Sequence, residues 1–166
     1  MKHYIIDGNN LIGKIKNISF VHSKDKQMSR EILALKLDRF FQNKKVKVSL
    51  HFDGFKNEAI RTNNLKIVYS DNKTADEKIK NEIDFTKNKR VITVVSSDLS
   101  VKEYARVNGC DVLSSEEFEV FMNKKDYRNE EESRTATISN DEIKKLLFEQ
   151  TKNVISFAES IIDSGI

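Results

Sequence analysis

Residues 91–95, VITVV, constrain this chain more than any other run in it. Their β-branched side chains are stiff at χ1 and suit a pleated sheet. A strand that is apolar at consecutive positions has no solvent face, so it must be covered on both sides. Shorter strand-like runs lie at 3–6 (HYII), 46–52 (VKVSLHF), 65–70 (LKIVYS) and 110–113 (CDVL). Val46, Val48, Leu50 and Phe52 alternate along the second of these.

Stretches with helical spacing separate the strands. Residues 29–43 bring Leu33, Leu37, Phe40 and Phe41 to one side of a helix. Thr74-Ala-Asp-Glu77 is a capping box that opens a helix bearing Ile79 and Ile83. A short helix follows Ser97-Asp98 through Tyr104 and Ala105, with Gly109 where a C-terminal cap belongs. Ser114-Ser-Glu-Glu117 is a second capping box, ahead of Phe118 and Phe121. Alternating strand and helix predicts parallel strands joined by crossovers. The expected fold is α/β: a three-layer sandwich with a central, mainly parallel sheet of about five strands, plus a C-terminal helix. The chain has no proline, so its turns fall to Gly, Asn, Asp and Ser.

The domain is expected to span residues 1–125. Residues 126–140 are polar and aperiodic and read as a linker or mobile loop. Within 141–166, Ile143, Leu146, Leu147, Val154, Ala158, Ile161 and Ile162 make an apolar stripe with helical gaps. Such a helix either packs back on the domain or joins a second chain as a homodimer.

Composition closes several routes. No run of about 18 apolar residues exists to span a membrane. The opening MKHYIIDGNN meets a carboxylate at position 7 and has no apolar signal core, so a cytoplasmic location is expected. The single cysteine, Cys110, excludes an internal disulfide framework and a cysteine-rich zinc site. The net charge of +3 divides into +9 over residues 1–110 and −6 over 111–166. A basic body suits a polyanionic partner; a lysine-rich surface kept for solubility accounts for it equally well.

The aspartates carry the functional signal. Asp7 ends the first strand and Asp53 the second. Asp76 lies in the first turn of the helix after the third strand, and Asp98 directly follows the fourth. In a parallel sheet all four positions fall on the carboxyl edge, where such folds bind ligands. Four carboxylates on one edge repel one another. Mg2+ relieves that repulsion with oxygen ligands, using one or two carboxylates, several waters and a phosphate. The pattern therefore predicts metal-assisted chemistry on a phosphate ester. Each aspartate alone has a structural explanation, since Asp98 can cap a helix, Asp53-Gly54 can turn the chain and Asp76 suits a helix dipole. Their common edge is harder to explain that way. Gly8 frees the backbone for a sharp turn after Asp7. Asn9 and Asn10 beyond it can hold a carboxylate or phosphate through their amides, and Ser96 and Ser97 could do likewise; for the asparagines, turn formation is an equal account.

Competing chemistries lack their motifs. His3, His22 and His51 have no zinc-ligand spacing. There is no G-x-S-x-G elbow, no G-x-G-x-x-G and no Walker loop. His3 and His51 lie in strands and read as packing or edge residues rather than bases. Lys14, Lys16, Lys24 and Lys26 are expected in a loop after Asp7-Gly-Asn-Asn, where they could track a nucleic-acid backbone. Arg61, Lys66 and Lys73 flank the third strand. Phe55 could stack a base or anchor its loop in the core.

Taken together, YIIDGNNLIG at 4–13, HFDG at 51–54, TADEKI at 74–79, VITVVSSD at 91–98, then Tyr104-Ala105 and Gly109-Cys110-x-Val112, resemble the YacP-like branch of the NYN domains, in the PIN-like ribonuclease group. The resemblance covers residue 1 to about 124. It implies a PIN-like fold and a Mg2+- or Mn2+-dependent endoribonuclease acting on single-stranded or ribosome-associated RNA. The family's acidic residues carry over onto Asp7, Asp53, Asp76 and Asp98, and its polar companion onto Asn10, then Asn9 and Ser97. Asp7, Asp76 and Asp98 would hold metal, Asp53 would hold a second metal or orient the water, and Asn10 would position a ligand. Lys14, Lys16, Arg61 and Lys73 are the RNA-contact candidates. Many relatives carry two adjacent aspartates at the helix start where this chain has Asp76-Glu77, and the capping box already explains Glu77. The alternative is a non-catalytic RNA- or protein-binding NYN module, against which the four retained carboxylates argue.

Overall fold

The computed structural model describes residues 1–56 and 58–124. The expected polar stretch at 126–140 and the helix at 141–166 lie outside the described residues. Five strands form one sheet: β1 (Lys2–Asp7), β2 (Val46–Phe52), β3 (Lys66–Tyr69), β4 (Ile92–Val95) and β5 (Asp111–Leu113). Their order is β3-β2-β1-β4-β5 and every pairing is parallel. All five strands therefore end on one edge. The chain moves outward from β1 to β2 and β3, then returns to lay β4 on the other side of β1. The boundary between β1 and β4 is the topological switch point, where open α/β sheets leave a crevice.

Helices α1 (Gly8–Lys14), α2 (Lys16–His22) and α3 (Lys26–Phe41) connect β1 to β2. Helix α4 (Ala75–Phe85) connects β3 to β4, and α5 (Leu99–Val107) connects β4 to β5. Residues 115–124 are helical as well. On one face of the sheet, Ile6, Leu50, Phe52 and Val95 meet Leu11, Leu33, Leu37, Phe41 and Phe118. On the other, Ile5, Ile92 and Val94 meet Ile79, Ile83, Val101 and Ala105. Neighbours such as Val94 and Val95 thus enter opposite cores, as a strand covered on both sides requires. Among the described residues, no helix is long and apolar enough to cross a membrane.

Three local expectations are corrected. The loop expected to carry Lys14 and Lys16 is helical, because Leu11, Ile12, Ile15 and Ile18 bury one side of α1 and α2 and Asp7 caps α1 by accepting from the Asn10 amide. Helix α3 starts before position 29 because the Asp25 carboxylate caps it at the Met28 amide, 2.9 Å away. It ends at Phe41, and Asn43 then takes a left-handed backbone, φ 64°. Gly8 opens a helix rather than a sharp turn, and what it supplies there is space: a Cβ would lie 2.4 Å from Phe52 Cε1 and 2.7 Å from the His51 carbonyl.

Candidate active site

Each of the four aspartates reaches the carboxyl edge by a different local device. Asp7 is the last residue of β1 and the N-cap of α1. Its Oδ1 accepts from the Asn10 amide at 3.0 Å and its Oδ2 from the Ser96 hydroxyl at 3.0 Å. Asp53 directly follows β2, and Gly54 after it turns with a left-handed φ of 84°. Asp53 Oδ1 accepts from the Ala75 amide at 2.8 Å, and Oδ2 from Asn9 Nδ2 at 2.8 Å. Asp76 sits in the first turn of α4, behind the Thr74–Glu77 capping box. Asp98 caps α5 through the Val101 amide at 3.0 Å.

Ser96 is the hinge pin of this arrangement. It is fully buried at the end of β4; its hydroxyl donates to Asp7 and accepts from the Asp98 amide at 3.1 Å. One side chain thereby ties the two strands that flank the switch point. Ser97, the neighbour favoured by the sequence resemblance, faces elsewhere: its hydroxyl donates to Glu116 and accepts from the Ser115 amide. Asn10 Oδ1 accepts from the Ser97 amide at 3.3 Å and from Ser115 Oγ at 3.5 Å. Asn10 thus joins α1 to the start of the 115–124 helix, and its side-chain Nδ2 donates to no described residue. Asn9 supports Asp53 directly.

The electrostatics follow from this crowding. Burial pushes the Asp7 carboxyl above its ordinary range; the Asn10 and Ser96 hydrogen bonds pull it back, and the charges of Asp76 and Asp53 push it up further. Asp76 is raised by burial and by Asp98, with Lys80 opposing and Asp53 adding to the rise. Among the described residues, no Lys or Arg ion-pairs with any of the four. The like charges therefore meet no direct counter-charge.

That charge pattern and an all-oxygen donor set fit a hard divalent cation. Asn9 Oδ1 adds a buried oxygen with no hydrogen-bond partner. Among the described residues, however, no three His, Cys, Asp or Glu side chains gather into a set that could hold a metal ion by themselves. The edge is therefore open. It suits a cation held by one or two carboxylates and completed by water and phosphate, rather than a closed protein cage.

The basic candidates divide. Lys14 is tied to Glu116 at 2.8 Å, and this bond, with that from Ser97, holds the Glu116 carboxyl down at about 2. Lys16, at the start of α2, and Lys73, in the turn from β3 to α4 at the carboxyl edge, are exposed. Arg61 belongs to the connection that enters β3 at its amino end, the end opposite the carboxylates. Phe55 is 59% exposed, so it does not anchor its loop in the core.

Two groups near the site escape a reading of the sequence. Arg30 of α3 is buried, donates from Nη2 to the Asp53 carbonyl at 2.6 Å, and lies over the Phe52 and Tyr69 rings. Glu82 of α4 is held by His3, Ser49 and His51. A signal for Glu82 was present: it shares the inward stripe of α4 with Ala75 and Ile79, and a carboxylate on an apolar stripe needs partners. Arg30 lies between the apolar positions Ala34 and Leu33 in helical projection and is likewise a charge on an inward stripe, but nothing local names its partner.

Comparison with known proteins agrees with this architecture. The model of the YacP-like NYN domain family matches residues 4–156. The chain is similar to a tryptophan-to-leucine mutant of Rae1 (YacP) from Bacillus subtilis, with a TM-score of 0.71 and 21% identity, over 89% of this chain and 91% of that one. It is also similar to Rae1 (YacP) from Bacillus subtilis without that substitution, with a TM-score of 0.68 and 20% identity, over 100% and 99% of the two chains. At these identities the likeness is one of fold. The comparison with curated proteins finds no match.

Proposed function

The chain belongs to the YacP-like NYN domain family, which has a PIN-like nuclease fold, and from that premise we propose that it is a Mg2+- or Mn2+-dependent endoribonuclease. The observation that supports this most is the edge itself. Four parallel-strand connections each bring a carboxylate there, and the described residues supply no ion-paired cation to balance them. At the two helix caps, Asp7 and Asp98, Asn or Ser would serve a purely structural role as well and without the mutual repulsion.

Asp7, Asp76 and Asp98 are the residues from which the one or two carboxylates that hold the cation would come, with Asp53 beside them. When bound, the cation would supply an activated water and charge neutralisation at the leaving oxygen. The protein's own part is orientation. Asp7 is fixed by two hydrogen bonds, so its lone pairs point in one direction before any ligand arrives. Asp98 offers Oδ2 while Oδ1 is spent on the helix cap. Asp76 makes no hydrogen bond to a described residue and is free to turn toward a ligand. Asn10 would present its side-chain Nδ2 to a phosphate oxygen. Lys73, in the turn after β3, would meet a phosphate backbone entering the edge, Lys16 is a further exposed basic candidate at the start of α2, and exposed Phe55 offers a ring to an unpaired base. These features favour single-stranded RNA as the substrate, whether free or ribosome-bound.

The test is cleavage of end-labelled single-stranded RNA with Mn2+. Wild type should cut internally. Asp7→Asn and Asp98→Asn should not cut, while both keep wild-type circular dichroism, since Asn preserves each cap. Cleavage that persists in both variants, or that is indifferent to EDTA, would refute the proposal.

A further inference from the structure

Beneath α4, away from the carboxyl edge, lies a second polar cluster inside the molecule. Strand β2 alternates, but its polar face is not solvated: Ser49 is 0% and His51 1% exposed. His3 of β1 is buried beside them. All three converge on Glu82. Ser49 Oγ donates to Glu82 Oε1 at 2.7 Å, His51 Nε2 lies 2.7 Å from Oε2, and His3 Nε2 lies 3.2 Å from both Oε1 and Ser49 Oγ. Lys47 Nζ approaches Oε1 at 3.8 Å from the rim.

Glu82 therefore joins three elements, and each of these carries one carboxylate of the candidate site. His3 lies four residues before Asp7 on β1. Ser49 and His51 lead along β2 to Asp53. Glu82 is six residues after Asp76 on α4, about 9 Å along the helix axis at ~1.5 Å per residue. The same helix supplies the Ala75 amide that bonds Asp53. The only other inward residues of α4 are Ala75, Ile79 and Ile83, whose apolar packing resists separation but tolerates sliding. Directional bonds from two strands to one carboxylate fix what apolar packing leaves free: the rise and rotation of α4 over the sheet. An ion of this kind is costly to bury, and apolar residues of similar volume would stabilise the fold as well or better.

We propose that Glu82 is a positioning residue, whose bonds to His3, Ser49 and His51 hold α4 in register so that Asp76 and the Ala75 amide meet Asp7 and Asp53. It acts through α4 and touches no ligand. Its kinetic consequence rests on the nuclease reading; its structural consequence does not.

Glu82→Gln tests both. Glutamine replaces one acceptor oxygen with a donor, so at least one of the three partners loses its bond. The first readout is hydrogen exchange by NMR at two amides of similar type. Ala75, which bonds Asp53, should lose protection at least tenfold. Val101, which bonds Asp98 in α5, should remain as in wild type. The second readout is kinetic: kcat on RNA should fall at least tenfold with KM little changed, since a ~1 Å misplacement can cost on the order of a hundredfold. If Glu82→Gln does not fold, Ser49→Ala removes one bond and should show the same two effects in smaller measure. Equal loss of protection at Ala75 and Val101 would mean general destabilisation and would overturn the proposal, as would unchanged protection at Ala75. If wild type cuts no RNA, the nuclease reading fails by itself, and the exchange result still decides the role of Glu82.

Discussion

Gly8→Ala puts one methyl group at the tightest point beneath the candidate site. The new Cβ would stand 2.4 Å and 2.7 Å from two carbons of the Phe52 ring and 2.7 Å from the His51 carbonyl oxygen. Carbon pairs settle at about 3.5–4.0 Å, so the neighbours must retreat by roughly 1 Å. Phe52 cannot do so freely, being fully buried with Tyr69 at 6.0 Å and the Arg30 guanidinium at 5.6 Å from its ring. The His51 carbonyl belongs to the backbone of β2. Overpacking of this kind costs about 1–3 kcal/mol. The helix propensity gained by alanine returns less than ~1 kcal/mol at a first-turn position. With a net cost of roughly 1–2 kcal/mol and about 2–4 °C per kcal/mol for a chain of this size, the melting temperature should fall by roughly 2–8 °C. Gly13→Ala is the control on the same helix. A Cβ there meets nothing within 4 Å, and the backbone is not left-handed, so the same substitution should stabilise by about 0.5–1 kcal/mol. Thermal melts of the two variants therefore move in opposite directions. A Gly8→Ala protein as stable as Gly13→Ala would refute the claim that Gly8 is there for close approach.

Two further outcomes concern charge. Because burial and its acidic neighbours raise the Asp7 carboxyl in the fold, its ionised form opposes folding above that raised value, and protonation relieves the penalty as pH falls. Asp7→Asn should therefore melt higher than wild type at neutral pH without metal, with the gap closing in acid; a lower neutral melting temperature would contradict this. Glu82 has the opposite sign. Burial alone would raise its carboxyl, but the bonds from His3, His51 and Ser49 outweigh burial and hold it far below the ordinary range. It stabilises above the ordinary glutamate range and loses that contribution as pH falls below it, so acid titrations of Glu82→Gln should show a shallower loss of stability than wild type.

The sheet was legible because VITVV admits few environments and because both capping boxes form as read. The four aspartates were legible because a parallel sheet turns a list of strand ends into one edge. The helices α1 and α2 were not. Their apolar residues sit close behind a Gly-Asn-Asn turn signal, and tertiary burial of Leu11 and Ile12 overrode it. Which serine serves the site was also hidden. Ser96 and Ser97 are adjacent, so only the pleat decides which faces Asp7. The partner of Arg30 was hidden for a related reason: nothing local names a backbone carbonyl 23 residues away. His51 is a packing residue by position, but its alternation along β2 says nothing of the carboxylate it bonds.

The central claim is that the carboxyl edge is one cation site assembled from separate strand ends. Calorimetric titration of Mn2+ into wild type, Asp7→Asn and Asp98→Asn tests it most directly. Binding to wild type that either substitution weakens at least tenfold is the predicted result. Binding that both variants retain at wild-type affinity, or a wild type that takes no Mn2+ even with single-stranded RNA present, would contradict it.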